Sequence, residues 1–126
     1  MTAPRKRAAV AIIGASPKAE RYAYRALVLL REYSYWPVPV NPAFSQILGE
    51  RCYARIGDVP EKIDTVTLYL RKERSDPLIQ EIISKRPRRI IMNPGAENVD
   101  LARRAEAEGI EVVQGCTLVM LRTGTF

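Results

Sequence analysis

Ala8-Ala9-Val10-Ala11-Ile12-Ile13, closed by Gly14, is the stretch on which the fold turns. Small and β-branched residues follow one another with no polar alternation. The segment therefore reads as a strand covered on both faces, as in a parallel sheet. Behind it, Ala19 to Tyr33 carries Ala23, Ala26, Leu27 and Leu30 at helical spacing, among charged Glu20, Arg25, Arg31 and Glu32. Trp36-Pro37-Val38-Pro39-Val40 reads as a second strand, although its prolines lack amide donors and suit a central strand poorly. Asn41-Pro42 stops it. Residues 43 to 60 read as an irregular connection with one short strand or turn.

Ile63 to Leu70 supplies a third strand. Asp76-Pro77 then reads as a cap and a first-turn proline, opening a helix that Pro87 ends. Arg89-Ile90-Ile91-Met92 is a fourth strand, closed by Asn93-Pro94-Gly95. A helix from Asn98 ends at Gly109, Ile110 to Val113 is a fifth strand, and Gly115 to Phe126 shows no clear pattern. Strands alternating with helices demand crossover connections. The expected architecture is α/β: a Rossmann-like, doubly wound, mainly parallel five-stranded sheet with helices on both faces. One domain accounts for residues 1–126, with 1–7 a basic tail expected to be mobile.

Apolar residues at 47% and charged residues at 27% are the balance of an ordinary globular domain. No apolar run approaches the roughly 18 residues of a membrane span, and the amino terminus lacks a signal-peptide pattern. A cytoplasmic protein is expected, with Cys52 and Cys116 as thiols. The chain contains no histidine, which removes the Ser-His-Asp and Cys-His systems and the commonest general base. It is therefore expected not to be an enzyme. A net charge of +6 favours polyanionic partners. The basic residues lie in scattered clusters rather than a stripe, which favours a phosphate-bearing small ligand over nucleic acid.

Ligands of doubly wound sheets bind at the carboxyl ends of the strands, near the switch in strand order. That rule selects Gly14 to Arg21, Asn41-Pro42, Tyr69 to Arg71 and Asn93 to Gly95. On a G-x-G-x-x-G template the first turn places Gly14, Ser16 and Ala19 at the glycine positions. Lys18 and Arg21 at a helix amino terminus oppose its dipole unless an anion arrives. Ser16 either caps that helix or hydrogen-bonds a phosphate. The second strand ends in Val40-Asn41-Pro42, without the acid that holds the ribose of a nicotinamide dinucleotide, so an NAD(P)-binding redox protein is the alternative reading. Glu97 is expected to place negative charge at the start of the last helix. Cys116 is either a small buried hydrophobe or a reactive thiol.

Taken in order, these residues resemble a known family. Val10 to Ser16 with Arg21 and Tyr24-Arg25, Val38 to Pro42, Asp58 to Asp64, Asn93 to Glu97 and Glu108 to Cys116 look like the small CoA-binding-domain proteins. Their fold is similar to the CoA-binding domain of succinyl-CoA synthetase. The resemblance implies a stand-alone, non-catalytic module for coenzyme A or an acyl-CoA: a carrier, a sensor or the partner of a separate enzyme. It further implies that Gly14, Ala15 and Ser16 hold phosphates with Arg21, and that Asn41-Pro42 lies along the nucleotide. Tyr69, Leu70 and Arg71 would flank the adenine and pantetheine arm, with Asn93, Pro94 and Gly95 on the far side. The larger synthetases carry a lysine shortly after the second strand, where Ala43 and Phe44 stand here. Lys18 and Arg71 are the candidate replacements.

Overall fold

The computed structural model describes residues 8–126, so the basic tail at 1–7 falls outside the described residues. In chain order the elements are β1 (Ala9–Ile13), α1 (Tyr22–Glu32), β2 (Trp36–Val40), β3 (Gln46–Ile47), β4 (Glu50–Arg51), β5 (Thr65–Leu68) and α2 (Lys72–Ser75). There follow α3 (Ile79–Ser84), β6 (Arg89–Met92), α4 (Val99–Ala107), β7 (Glu111–Gln114) and α5 (Thr117–Thr123). Five strands form one sheet in the order β2-β1-β5-β6-β7, every neighbouring pair parallel. The order changes direction at β1 and β5, so their carboxyl ends form the switch point.

β1 is buried along its whole length because helices cover both faces of the sheet. Ala9, Ala11 and Ile13 face a core with Ile79, Ile82 and Ile83 of α3 and Leu101 and Ala105 of α4. Val10 and Ile12 face the opposite core, with Ala23, Leu27 and Leu30 of α1 and Leu121 of α5. β2 lies at the sheet edge and tolerates two prolines for a visible reason. Its Val38 and Val40 turn towards β1, and the Val40 carbonyl accepts the Gly14 amide at 3.2 Å. Pro37 and Pro39 face outward, where the Pro39 carbonyl still accepts from Tyr53 at 3.0 Å.

Four local readings of the sequence differ from the structure. The connection after β2 holds an antiparallel hairpin, β3 with β4, and a 3₁₀ turn at Ile56–Asp58. α1 begins at Tyr22 rather than Ala19, since Arg21 is extended (φ −80°, ψ 141°) and leaves 14–21 as a loop. Asp76 is not a helix cap. It is already helical (φ −50°, ψ −47°), because α2 starts at Lys72 and Lys72 reaches Asp76 one turn on at 2.9 Å. Pro77, with no amide to donate, tightens the chain into a 3₁₀ turn before α3. The tail without clear pattern contains α5, which buries Thr117, Leu118 and Leu121 and ends at Gly124 (φ +74°). No helix among the described residues is long and apolar enough to cross a membrane.

Asn98 ties α4 to α2. Its side-chain oxygen accepts from the Asp100 and Leu101 amides, both at 3.1 Å, and its nitrogen donates to Ser75 Oγ at 2.8 Å and Asp76 at 2.9 Å. Asn98, Ser75 and Leu101 are buried, whereas Asp76 and Asp100 reach the surface. Asn98→Ala removes a cap and strands buried partners, so a loss of about 2–3 kcal/mol is expected in urea denaturation. A loss under about 0.5 kcal/mol, the scale of an ordinary surface change, would refute that role.

Candidate functional site

Three cavities run along the carboxyl ends of the strands and share walls. The first, about 350 Å³, lies beside β2 among Val40, Pro42, Arg55, Ile56 and Leu78. The middle one, about 450 Å³, lies over the end of β1 and shares Gly14, Asn41, Leu70 and Arg74 with the first. The third, about 380 Å³, lies beside β6 and β7 and shares Tyr22, Tyr69 and Pro94 with the middle one. Strands are spaced at about 4.8 Å, so this groove spans roughly 19 Å from β2 to β7.

Its centre is shaped by Gly14, which follows β1 with φ +88°. A Cβ there would sit 2.9 Å from Leu70 Cδ2 and 3.3 Å from the Tyr69 carbonyl carbon, so only glycine fits. The next turn is held from β2. Asn41 donates through its side chain to the Ala15 carbonyl at 2.8 Å and accepts the Ala43 amide at 2.8 Å. Ser16 Oγ accepts the Lys18 amide at 3.1 Å. Ser16 thus closes its own turn instead of capping α1, and keeps its hydroxyl proton for another acceptor.

Gly14, Ala15, Ser16, Lys18, Arg21, Asn41, Tyr69, Leu70 and Pro94 all line the middle cavity. Pro42 lines the first, and Asn93 with Pro94 lines the third. Two expected residues are not brought in. Arg71 is exposed, lies 3.8 Å from Glu73 and lines none of the three cavities. Gly95 (φ +90°) gives its amide to both oxygens of Glu97 at 3.1 Å. That turn also accounts for Glu97, which sits before α4 rather than in it. Residues not assigned to the site from the sequence line it as well: Arg74 on the first and middle cavities, Phe44 on the middle, and Arg25 and Arg122 on the third. Arg74 reaches the groove because α2 starts at Lys72 and carries it on the side facing the turn after β1.

Charge in the middle and third cavities has one sign. Lys18, Arg21 and Arg74 line the middle cavity, and no acidic side chain among the described residues does. Arg25 and Arg122 line the third, again without an acid. Glu81, on the first, is held by Arg55 through two bonds of 2.9 and 2.8 Å. Beneath the third cavity lies a closed polar ring. Asn93 donates to Thr67 Oγ1 at 2.8 Å and to the Leu68 carbonyl at 2.9 Å, while its oxygen accepts the Thr117 amide at 2.9 Å. The hydroxyls of Thr67 and Thr117 share a bond of 2.8 Å. Cys116, half-buried, stands on the wall above this ring.

An all-parallel doubly wound sheet with a cation-lined cleft at its switch point places the molecule among the Rossmann-like α/β domains. Residues 8–122 match the model of the CoA binding domain family, and the chain belongs to that family. It is 27% identical over 124 residues to an ADP-forming acetate–CoA ligase I of Archaeoglobus fulgidus, covering 90% of this chain and 18% of the ligase. It thus spans less than a fifth of that relative's length. A crystal structure of an uncharacterized protein superimposes with a TM-score of 0.89 at 39% identity, covering 94% of this chain and 98% of the other. A hypothetical protein from Pyrococcus horikoshii OT3 does so with 0.86 at 29% identity, over 90% and 81% of the two chains.

The Tyr69 hydroxyl is buried and without a hydrogen-bond partner among the described residues. Burial pushes its phenol up to about 12, with the nearby Thr67 and Thr117 hydroxyls pulling the other way and Cys116 adding to the rise. The raised value favours the neutral phenol in the fold. That contribution to stability is complete below about pH 10, where a free tyrosine titrates, and is lost as the pH climbs towards Tyr69's own value. In an alkaline titration followed by phenolate absorbance, Tyr69→Phe should remove a late step near pH 12. Loss of an ordinary, earlier step instead would contradict this assignment.

Proposed function

We propose that the groove binds coenzyme A or an acyl-CoA, and that the domain does so as a non-catalytic module serving as carrier, sensor or partner of a separate enzyme. The observation that carries the reading is the middle cavity, where Lys18, Arg21 and Arg74 converge on a glycine turn with no acid beside them. Polyphosphate is the ligand chemistry such a site satisfies. The first cavity, with Ile56 and Leu78, offers apolar walls for the adenine. The arm would then cross Tyr69 and Pro94 towards Cys116. Arg74, rather than Arg71, takes the place of the lysine that the larger synthetases carry after the second strand.

The non-catalytic part rests on the groove's inventory. The chain has no histidine, the cavity acid Glu81 is bound by Arg55, and the Asn93 amide is consumed internally. A nicotinamide dinucleotide suits the groove less well. β2 is followed by Asn41, whose side-chain amide already serves Ala15 and Ala43, so no acid meets the ribose.

Coenzyme A at 100 times its dissociation constant should stabilise the fold by about 2.7 kcal/mol, a rise of roughly 10 °C in melting temperature. NADH and NADPH should leave it unmoved. Lys18→Ala or Arg21→Ala should each weaken binding by roughly tenfold, the scale of one charge-assisted hydrogen bond. A shift with a nicotinamide cofactor and none with coenzyme A, in demonstrably ligand-free protein, would overturn the reading.

A further inference from the structure

We infer that the third cavity is an acyl chamber, selective for a short acyl thioester whose far end carries a carboxylate. This rests on the coenzyme A reading, which sends the thioester end towards Cys116. Three observations support it. The cavity's volume, about 380 Å³, is far more than a bare thiol occupies. Its apolar walls are Pro94, Leu118 and Val119, and Val119 is 54% exposed, leaving apolar surface open for a ligand to cover.

The polar inventory then fixes the class of ligand. Asn93 spends its amide on Thr67, Leu68 and Thr117, and the Tyr69 oxygen is buried beneath the surface. What remains is chiefly Arg25 and Arg122, supplied by α1 and α5, neither ion-paired to any described residue and with no acid on the lining. The Arg25 guanidinium lies 5.5 Å from the Tyr22 ring centroid, a contact that leaves its donors available. A guanidinium donates and never accepts, and its fork matches a carboxylate. An acyl group ending in a methyl offers those donors nothing, and one ending in a hydroxyl offers a single neutral acceptor where a carboxylate offers two charged oxygens. A chain of a few methylenes ending in a carboxylate fills the apolar walls and answers them.

Calorimetric titration of the whole protein with coenzyme A, pentanoyl-CoA and glutaryl-CoA tests this, the two thioesters having equal numbers of acyl carbons. Glutaryl-CoA should bind at least tenfold more tightly than pentanoyl-CoA. The double variant Arg25→Gln/Arg122→Gln should reduce that preference below threefold, and its unliganded melting temperature serves as the folding control. Equal affinities, tighter binding of pentanoyl-CoA, or a preference that survives in the folded double variant would each overturn the inference. Should the variant not fold, the single substitutions read the same preference. Coenzyme A itself separates the two levels. If it fails to bind the unaltered protein, the coenzyme A reading falls and the chamber with it; if it binds without a glutaryl preference, only the chamber falls.

Discussion

The ligand-facing edge of the sheet depends on one buried amide. At the end of a parallel strand the ladder stops, and backbone groups beneath the surface need other partners. Asn93 supplies them for three elements at once: a hydroxyl and a carbonyl on β5 and an amide at the start of α5, from its own place after β6. Removing one member of such a ring leaves the others buried and unpaired, a larger cost than the bond itself contributes. Asn41 performs the corresponding task at the other end, joining β2 to the turn after β1. Both asparagines look like ligand contacts in the sequence. In the fold they set the walls that the contacts stand on, which keeps Ala15, Tyr69, Pro94 and Cys116 in fixed relation.

Rigid walls allow charge to be concentrated where it has no internal partner. Away from the groove, Arg88 is matched with Asp64 and Lys72 with both Asp76 and Asp100, and on the wall of the first cavity Arg55 is matched with Glu81. The Arg88 guanidinium holds the Asp64 carboxyl below its ordinary range, so that pairing strengthens above the acid range and fades as the pH falls through it. Within the groove the cations face one another and solvent. Their mutual repulsion is tolerated because water screens it, and a polyanion in the groove would relieve it. Lys18, Arg21, Arg25, Arg74 and Arg122 therefore stand together along the middle and third cavities without an acid on the lining. Sequence clusters such as Arg71-Lys72 with Arg74 do not reveal which member faces the groove. The helical phase does, and it turns Arg74 inward while Arg71 pairs with Glu73.

How legible each element was follows from how much of its information is local. β1 could be read from six residues because burial on both faces leaves no polar position. The cap at Asn98 and the stop at Gly109 are local chemistry and stand where expected. α2 and α5 were hidden for different reasons. α2 is a single turn whose boundary depends on ion pairs from Lys72 to Asp76 and to Asp100 on another helix. α5 is seven residues long, too short to show a period, and is held by tertiary packing and the Asn93 ring. The loop at 14–21 misled in a third way: small residues and a serine resembled a helix start, but Ser16 bonds inside its own turn.

That displaced helix start bears on how phosphate would be recognised. In the dinucleotide fingerprint, the pyrophosphate rests on the amide groups of a helix that opens directly after the glycine turn. Here eight residues separate the end of β1 from α1, and the amides of Gly14 and Ala15 already serve the Val40 carbonyl, at 3.2 and 3.4 Å. The backbone cradle is thus partly spent on joining β1 to β2. What the loop presents instead is side-chain chemistry: the Ser16 hydroxyl, Lys18 and Arg21, faced by Arg74 from α2. A site built from long cationic side chains accommodates phosphates at more than one spacing, whereas a helix dipole concentrates its effect within one turn. The missing glycines of the first turn and the extra cations of the groove are therefore two sides of one arrangement. It departs from the nicotinamide pattern, which opens a helix directly on the glycine turn and ends the second strand with an acid.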